Sequence, residues 1–146
     1  MQDLIQREIT VKAGKEKVYD AIVDPNKITS WFPDKVEGSL LEGESAIFTF
    51  AEHDHQARIF VEASIPFEYF SYRWVPGGQG SLDKQKDKNT TLVEFIIEET
   101  EGGTKVTLKE SGFSKLPPEV AEASFKDNSG GWEYMMGRLE SFVNEN

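Results

Sequence analysis

The sequence of 146 residues contains no cysteine, which excludes disulfide bonds, thiol catalysis and thiolate metal sites. It also lacks any apolar run of the ~20 residues that a transmembrane helix requires. The N-terminal stretch MQDLIQREIT is polar and acidic where a signal peptide would have an apolar segment, so we expect a cytoplasmic protein. Phosphate-binding loops, nucleophile elbows and zinc signatures are missing as well.

Positive charge is also scarce, since 16 Lys and Arg residues stand against 26 Asp and Glu residues, for a formal net charge of -10. Nucleic acids and anionic membranes favour surfaces rich in Lys and Arg. We therefore expect neither nucleic acid nor a membrane as a partner. The composition is 38% hydrophobic and 12% aromatic, which is typical of a globular protein, and the length suits one domain over residues 1–146.

The C-terminal stretch from Pro118 to Val143 predicts a long amphipathic helix, because its apolar residues recur at helical spacing. A stripe of this size needs a large apolar partner, and we expect that partner to be a sheet. The Gly130-Gly131 pair costs about 2 kcal/mol of helix propensity relative to alanine. The sequence therefore allows two alternatives, a continuous helix or a break at which Ser129 caps a restarted helix.

The N-terminal part predicts a strand followed by two short helices. Residues from Leu4 to Lys12 alternate between apolar and polar, as in a strand. Lys15 to Val23 has apolar residues at helical spacing, and Asp24-Pro25 ends that helix because a residue before proline avoids the helical region. Asn26 to Phe32 predicts a second short helix.

Between Val36 and Phe113 the apolar residues alternate with a period of two, which predicts a series of strands. Their short connections favour antiparallel pairing. The exception is Pro76 to Asn89, a long loop rich in Gly, Lys and Asp. The predicted fold class is α+β: a curved antiparallel sheet of six to seven strands, wrapped around the long C-terminal helix, with the two short helices after the first strand.

Four stretches of the chain, in this order, carry a resemblance to a known family: ITVKAGKEKVYDAIVDPNKITSWF, IPFEYFSYRW, TLVEFIIEETEGGTKVTLKESGF and GGWEYMMGRLESF. They resemble the activator of heat-shock protein 90 ATPase homologue-like family, within the START-like (SRPBCC) superfamily. The resemblance implies a helix-grip fold with an apolar cavity between the sheet and the long helix. Gly14 departs from the family's usual proline after the first strand, at a position without a functional role.

The inward-facing aromatic and methionine side chains could line such a cavity or fill the core. Asn128 and Ser129 would add polar groups to the inner face of a continuous helix. The predicted ligand-binding residues are Trp31, Phe48, Phe70, Tyr72, Trp74, Phe95, Asn128, Ser129, Trp132, Met135 and Met136. We assign no catalytic residue, no metal ligand and no cofactor.

Two other polar groupings have a functional and a structural interpretation. Arg7 and Glu110 both occur at positions whose neighbours point inward, so they could anchor a ligand or form a structural ion pair. His53 and His55 form an H-x-H motif that could ligate a metal. We favour a solvated hairpin turn for the two histidines, since they follow the end of one predicted strand and precede the next.

We expect a non-enzymatic protein that binds a small apolar or aromatic molecule, with the loop from Pro76 to Asn89 as a gate. A protein-interaction module is the first alternative, because the resembled family includes co-chaperones of heat-shock proteins. The second alternative is a cyclase-like or hydrolase-like enzyme that uses inward polar groups such as Tyr72, Arg7 or Ser129.

Overall fold

The computed structural model describes residues 3–51, 55–75 and 90–145. The predicted loop from Pro76 to Asn89 and His53 lie outside the described residues. The elements are β1 (Leu4–Val11), α1 (Lys15–Val23), α2 (Pro25–Ile28), β2 (Lys35–Gly38), β3 (Ser45–Phe50), β4 (His55–Ile65), β5 (Tyr69–Trp74), β6 (Thr91–Thr100), β7 (Gly103–Ser111), a 3-10 turn (Phe113–Lys115) and α3 (Pro118–Glu145).

The seven strands form one antiparallel sheet in the order β1-β7-β6-β5-β4-β3-β2. Every neighbouring pair except β1 and β7 is consecutive in the chain, as expected for strands joined by short connections. The pairing of β4 with β5 shifts register between Val61 and Ala63, and such a bulge bends and twists a strand. The predicted α+β fold with a curved sheet of six to seven strands and a long C-terminal helix is confirmed.

The two short helices are separated by Asp24, which takes an extended conformation with φ -85° and ψ 117°. Its carboxylate accepts a hydrogen bond of 2.9 Å from the backbone N–H of Asn26, so it caps α2 while Pro25 occupies the first turn. The predicted extent of α2 to Phe32 was too long. The chain leaves the helix after Ile28, and the indole of Trp31 donates to the carbonyl of Ala21 inside the core.

Helix α3 runs from Pro118 to Glu145 without interruption at Gly130-Gly131. The alternative of a break is therefore wrong, and Ser129 does not cap a restarted helix. Its hydroxyl instead accepts a hydrogen bond of 2.6 Å from Arg7 on β1. The buried face of the helix consists of Ala121, Trp132, Met136, Leu139 and Val143, and it packs on the inner face of the sheet.

Aromatic side chains from the sheet, from the segment after α2 and from the 3-10 turn form much of the buried core. The largest fully buried side chains include Trp31, Phe48, Phe70, Tyr72, Phe95 and Phe113. Among the described residues, no helix is both long enough and apolar enough to cross a membrane.

Candidate functional site

One end of the layer between the sheet and α3 is not filled by side chains. A cavity of about 570 Å³ lies there, within the ~300–1,000 Å³ that small-molecule sites commonly occupy. Its described lining is mostly apolar and comprises Phe32, Phe50, Ala57, Trp74, Val75, Trp132 and Met135, with His55, Asp127, Asn128 and Gly131 completing it.

The strand pairing explains why these residues meet. His55 pairs with Phe50, and Ala57 with Phe48, where β3 turns into β4. Antiparallel pairing with β4 then brings the C-terminal end of β5, at Trp74, to the same end of the sheet. Three strand ends therefore form one wall of the cavity.

Helix α3 forms the opposite wall. Asp127, Asn128, Gly131 and Met135 lie within about two and a half turns of the helix and on one face of it. Gly131 contributes no side chain to this wall, and a Cβ atom placed there would lie in open space, with no heavy atom within 4 Å beyond its chain neighbours and the helix backbone. The absence of a side chain at this position leaves part of the cavity open.

Ring packing holds the aromatic wall in place around Phe32. Its ring centroid lies 5.1 Å from that of Trp132, 5.5 Å from that of Phe50 and 6.0 Å from that of Trp74. His55 stacks on Phe50 at 6.2 Å with an interplanar angle of 23°. Rings packed in this way present a preformed apolar surface, since each is held in position by its neighbours.

Behind this wall lies Glu110 of β7, whose exposed fraction is 0%. Its Oε1 accepts hydrogen bonds from Trp132 Nε1 at 2.7 Å and Asn128 Nδ2 at 3.0 Å. Its Oε2 accepts from Trp74 Nε1 at 2.9 Å, from Asn128 Nδ2 at 3.1 Å and from the Thr91 hydroxyl. One buried carboxylate thus fixes three side chains that border the cavity.

The ionisation of Glu110 is governed by two opposing effects. Burial raises the pKa of this carboxyl above its ordinary value, and the hydrogen bonds from Thr91, Trp74, Trp132 and Asn128 act in the opposite direction. All its polar partners in the described structure are neutral donors. This arrangement orients neighbouring groups and leaves no carboxylate oxygen free for a ligand.

Tyr72 of β5 lies close to this cluster and is fully buried. Its hydroxyl has no hydrogen-bond partner among the described residues. Burial, together with the charge of Glu110, raises the pKa of Tyr72 well above its ordinary value. These two effects favour the neutral phenol.

Arg7 and Glu110 do not form the ion pair that their positions suggested. In the register between β1 and β7, Glu110 faces Ile5 and Arg7 faces Leu108. Arg7 Nη2 donates to the Ser129 hydroxyl at 2.6 Å and to its carbonyl at 3.2 Å. Arg7 and Glu110 belong to different cross-strand pairs, and each therefore has its own polar partners.

The predicted ligand-binding residues fall into three locations. Those that border the cavity are Trp74, Asn128, Trp132 and Met135. Those in the buried core away from its lining are Trp31, Phe48, Phe70, Tyr72, Phe95 and Met136. Ser129 lies beside Arg7 instead.

Several cavity-lining residues lie outside the predicted set: Phe32, Phe50, His55, Ala57, Val75, Asp127 and Gly131. Phe50 shares the inward parity of Phe48, so the alternation of β3 contained a signal for it. Asp127 and Gly131 lie on either side of Asn128 on the same face of α3, and helical periodicity could have identified them. Phe32 follows the end of α2, where no periodic pattern applies.

Within the described part of the chain, no group of three or more His, Asp or Glu side chains could hold a metal ion. Of the H-x-H motif, only His55 is described. Its ring borders the cavity and stacks on Phe50, which gives it a place in the apolar wall.

Residues 12–144 match the family model described as Activator of Hsp90 ATPase homolog 1-like protein. None of the curated proteins matches the sequence significantly. Among solved structures, protein MLL2253 from Mesorhizobium loti is similar with a TM-score of 0.80 and 20% sequence identity, covering 98% of this chain and 98% of that protein. Aha1 from Colwellia psychrerythraea, solved as a dimer, is similar with a TM-score of 0.76 and 18% identity, covering 98% and 97%.

DynU16, a protein from the dynemicin biosynthetic locus, is also similar, with a TM-score of 0.78 and 20% identity. The similarity covers 98% of this chain, which spans about half, 48%, of DynU16. At these identities the similar structures support the fold alone. The function must be argued from the cavity.

Proposed function

This chain belongs to the Activator of Hsp90 ATPase homolog 1-like family, and from that premise we propose that it binds a small apolar or aromatic molecule in the cavity between its sheet and α3. The family resemblance of the sequence is confirmed by the match over residues 12–144. The observation that carries the proposal is the cavity itself, with its volume of about 570 Å³ and its aromatic lining.

The lining suits a flat apolar ligand. Phe32, Trp74 and Trp132 offer ring surfaces to one cavity, and their mutual packing means that little ordering is required when a ligand enters. Burying about 200 Å² of apolar ligand surface would contribute about 5 kcal/mol. Part of this is offset by the lost freedom of the ligand.

Two buried polar groups near the cavity, Glu110 and Tyr72, support binding over catalysis. Both oxygens of Glu110 already accept hydrogen bonds from the protein, and the carboxylate lies behind the lining. Tyr72 is buried and holds its proton tightly. Neither group is placed to exchange a proton with a bound molecule, which requires hydrogen-bond reach.

A pair of adjacent glycines provides a matched test. Gly131 borders the cavity and Gly130 does not, yet both are exposed positions in α3 with open space where a Cβ atom would lie. Replacing either glycine by leucine should stabilise the helix by a similar amount, about 0.8 kcal/mol. Only Gly131→Leu places a side chain at the cavity.

The measurement is the fluorescence of N-phenyl-1-naphthylamine, a neutral aromatic probe, titrated into each protein. We expect the wild type and Gly130→Leu to bind it with the same affinity and Gly131→Leu to bind it at least about tenfold more weakly. Equal binding by both variants would place the probe elsewhere on the protein. An absence of binding by the wild type would contradict the proposed function.

A further inference from the structure

Three N–H donors that border the cavity, those of Trp74, Trp132 and Asn128, are already engaged within the protein. The indole Nε1 groups of Trp74 and Trp132 donate to Glu110 at 2.9 and 2.7 Å. The amide Nδ2 of Asn128 donates to both oxygens of the same carboxylate, at 3.0 and 3.1 Å. A ligand in the cavity therefore meets the apolar parts of the two indoles and not their N–H groups.

The orientation of Asn128 follows from these contacts. Its Nδ2 donates to both oxygens of Glu110, so the carbonyl Oδ1 is directed away from that carboxyl group. No hydrogen bond from the described residues reaches Oδ1. Asn128 is half-buried and borders the cavity, so its Oδ1 is an acceptor that the described part of the chain leaves available to a ligand.

The charges around the cavity have one sign. Asp127 is an exposed carboxylate in its lining, and neither Lys nor Arg occurs among the described lining residues. The chain as a whole carries a formal net charge of -10. An anionic ligand would face Asp127 without a cation to pair with, which disfavours its desolvation. His55 is the remaining polar lining residue, and its ring nitrogens can donate or accept hydrogen bonds.

We propose that the cavity selects an aromatic molecule that carries a hydrogen-bond donor, such as a phenolic hydroxyl or an amino group, and discriminates against aromatic carboxylates. This inference rests on the proposed function and specifies its ligand class. Asn128 Oδ1 accepts the hydrogen bond from the ligand, the apolar parts of the indoles hold its ring, and Asp127 disfavours anions. A ligand that lacks the donor binds more weakly, because it covers this acceptor and leaves it unpaired.

Three ligands with the same ring system test the inference on the wild-type protein. 2-Naphthol has the donor, 2-methoxynaphthalene has its hydroxyl blocked, and 2-naphthoate has a carboxylate; the affinities are measured by calorimetry at neutral pH. We expect 2-naphthol to bind about fivefold more tightly than 2-methoxynaphthalene and at least about tenfold more tightly than 2-naphthoate.

Two variants assign the effects to individual residues. Asn128→Ala should remove the preference for 2-naphthol over 2-methoxynaphthalene. Asp127→Asn should reduce the difference in affinity between 2-naphthol and 2-naphthoate. If Asn128→Ala does not fold because Glu110 loses a partner, the wild-type comparison still decides the question.

The failure of this inference is distinguishable from failure of the proposed function. Equal affinity for the three ligands, or tightest binding of 2-naphthoate, would overturn the ligand class and leave the apolar cavity site standing. If none of the three ligands binds and N-phenyl-1-naphthylamine does not bind either, both proposals are overturned.

Discussion

Trp132 on α3 and Glu110 on β7 are joined by a hydrogen bond of 2.7 Å between the indole Nε1 and the carboxylate Oε1. Both side chains are buried, with exposed fractions of 3% and 0%. The bond ties the long helix to the sheet at the border of the cavity. It also sets the tilt of the indole, whose ring forms part of the cavity wall.

Replacing Trp132 with phenylalanine tests how much this hydrogen bond contributes to the stability of the fold. Trp132→Phe keeps an aromatic ring and removes the donor to a buried carboxyl group, so we expect a loss of about 2–3 kcal/mol in the free energy of unfolding, measured with urea. The control is Trp31→Phe, which removes a similarly buried indole that donates to the carbonyl of Ala21. If the two variants lose the same free energy of unfolding, the hydrogen bond to Glu110 contributes no more to stability than the bond from Trp31 to Ala21.

Glu110→Gln should change how stability depends on pH. The raised pKa of Glu110 in the folded state, relative to its ordinary value of 4.5, means that the unfolded chain releases this proton first as the pH rises. The protonated carboxyl group therefore makes its full contribution to the free energy of unfolding when the pH is below its ordinary pKa. This contribution is lost as the pH rises through the folded-state pKa. The glutamine variant lacks this titration.

The measurement is the free energy of unfolding of both proteins across the acidic to neutral range. We expect the wild type to lose stability relative to Glu110→Gln as the pH increases. A difference that is independent of pH, or that moves in favour of the wild type, would show that the folded-state pKa of Glu110 is not raised.

The stripe of α3 and the alternation of the strands allowed the fold to be predicted, because each pattern depends on neighbours along the chain. The contacts of Glu110 could not be predicted in the same way. They require the register of β5, β6 and β7 and the rotation of α3 about its axis. Asn128 and Ser129 illustrate this, since adjacent helix residues differ by ~100° in direction, and one donates to Glu110 while the other accepts from Arg7.

The cavity also lay beyond the sequence patterns. An inward aromatic residue gives the same alternating sequence pattern whether it packs in the core or borders a cavity. The sequence therefore could not show that Phe48 and Trp74 differ in this respect. Phe48 is fully buried, and Trp74 borders the cavity. The missing side chain at Gly131 contributes to the cavity. From the sequence alone, this glycine indicated only a low helix propensity.

Tyr72→Phe should not destabilise the protein. The hydroxyl of Tyr72 is buried without a hydrogen-bond partner among the described residues, so its removal relieves a desolvation penalty of about 1 kcal/mol or more. We expect the melting temperature of Tyr72→Phe to equal or exceed that of the wild type. Tyr69→Phe is the control, because that hydroxyl donates to Glu94 at 2.6 Å and its loss should lower the melting temperature. A marked loss of stability in Tyr72→Phe would reveal a partner for its hydroxyl.

Substitutions at the adjacent methionines of α3 can distinguish an open cavity from a packed core. Met135 borders the cavity, whereas Met136 is only 2% exposed within the core. Met135→Phe should keep or raise the melting temperature and weaken the binding of N-phenyl-1-naphthylamine, because it fills an existing space. Met136→Phe should cost about 1–3 kcal/mol through overpacking. Strong destabilisation by both substitutions, without probe uptake by the wild type, would mean that α3 covers a filled core.

The most direct test of a ligand site in this cavity uses the indole N–H signals of the three tryptophans in a nuclear magnetic resonance titration with N-phenyl-1-naphthylamine. Trp74 and Trp132 border the cavity, and Trp31 is buried apart from its lining. We expect saturable shifts of the Trp74 and Trp132 signals that exceed any shift of the Trp31 signal. Unchanged signals from Trp74 and Trp132 in the presence of saturating probe would contradict the cavity as the binding site.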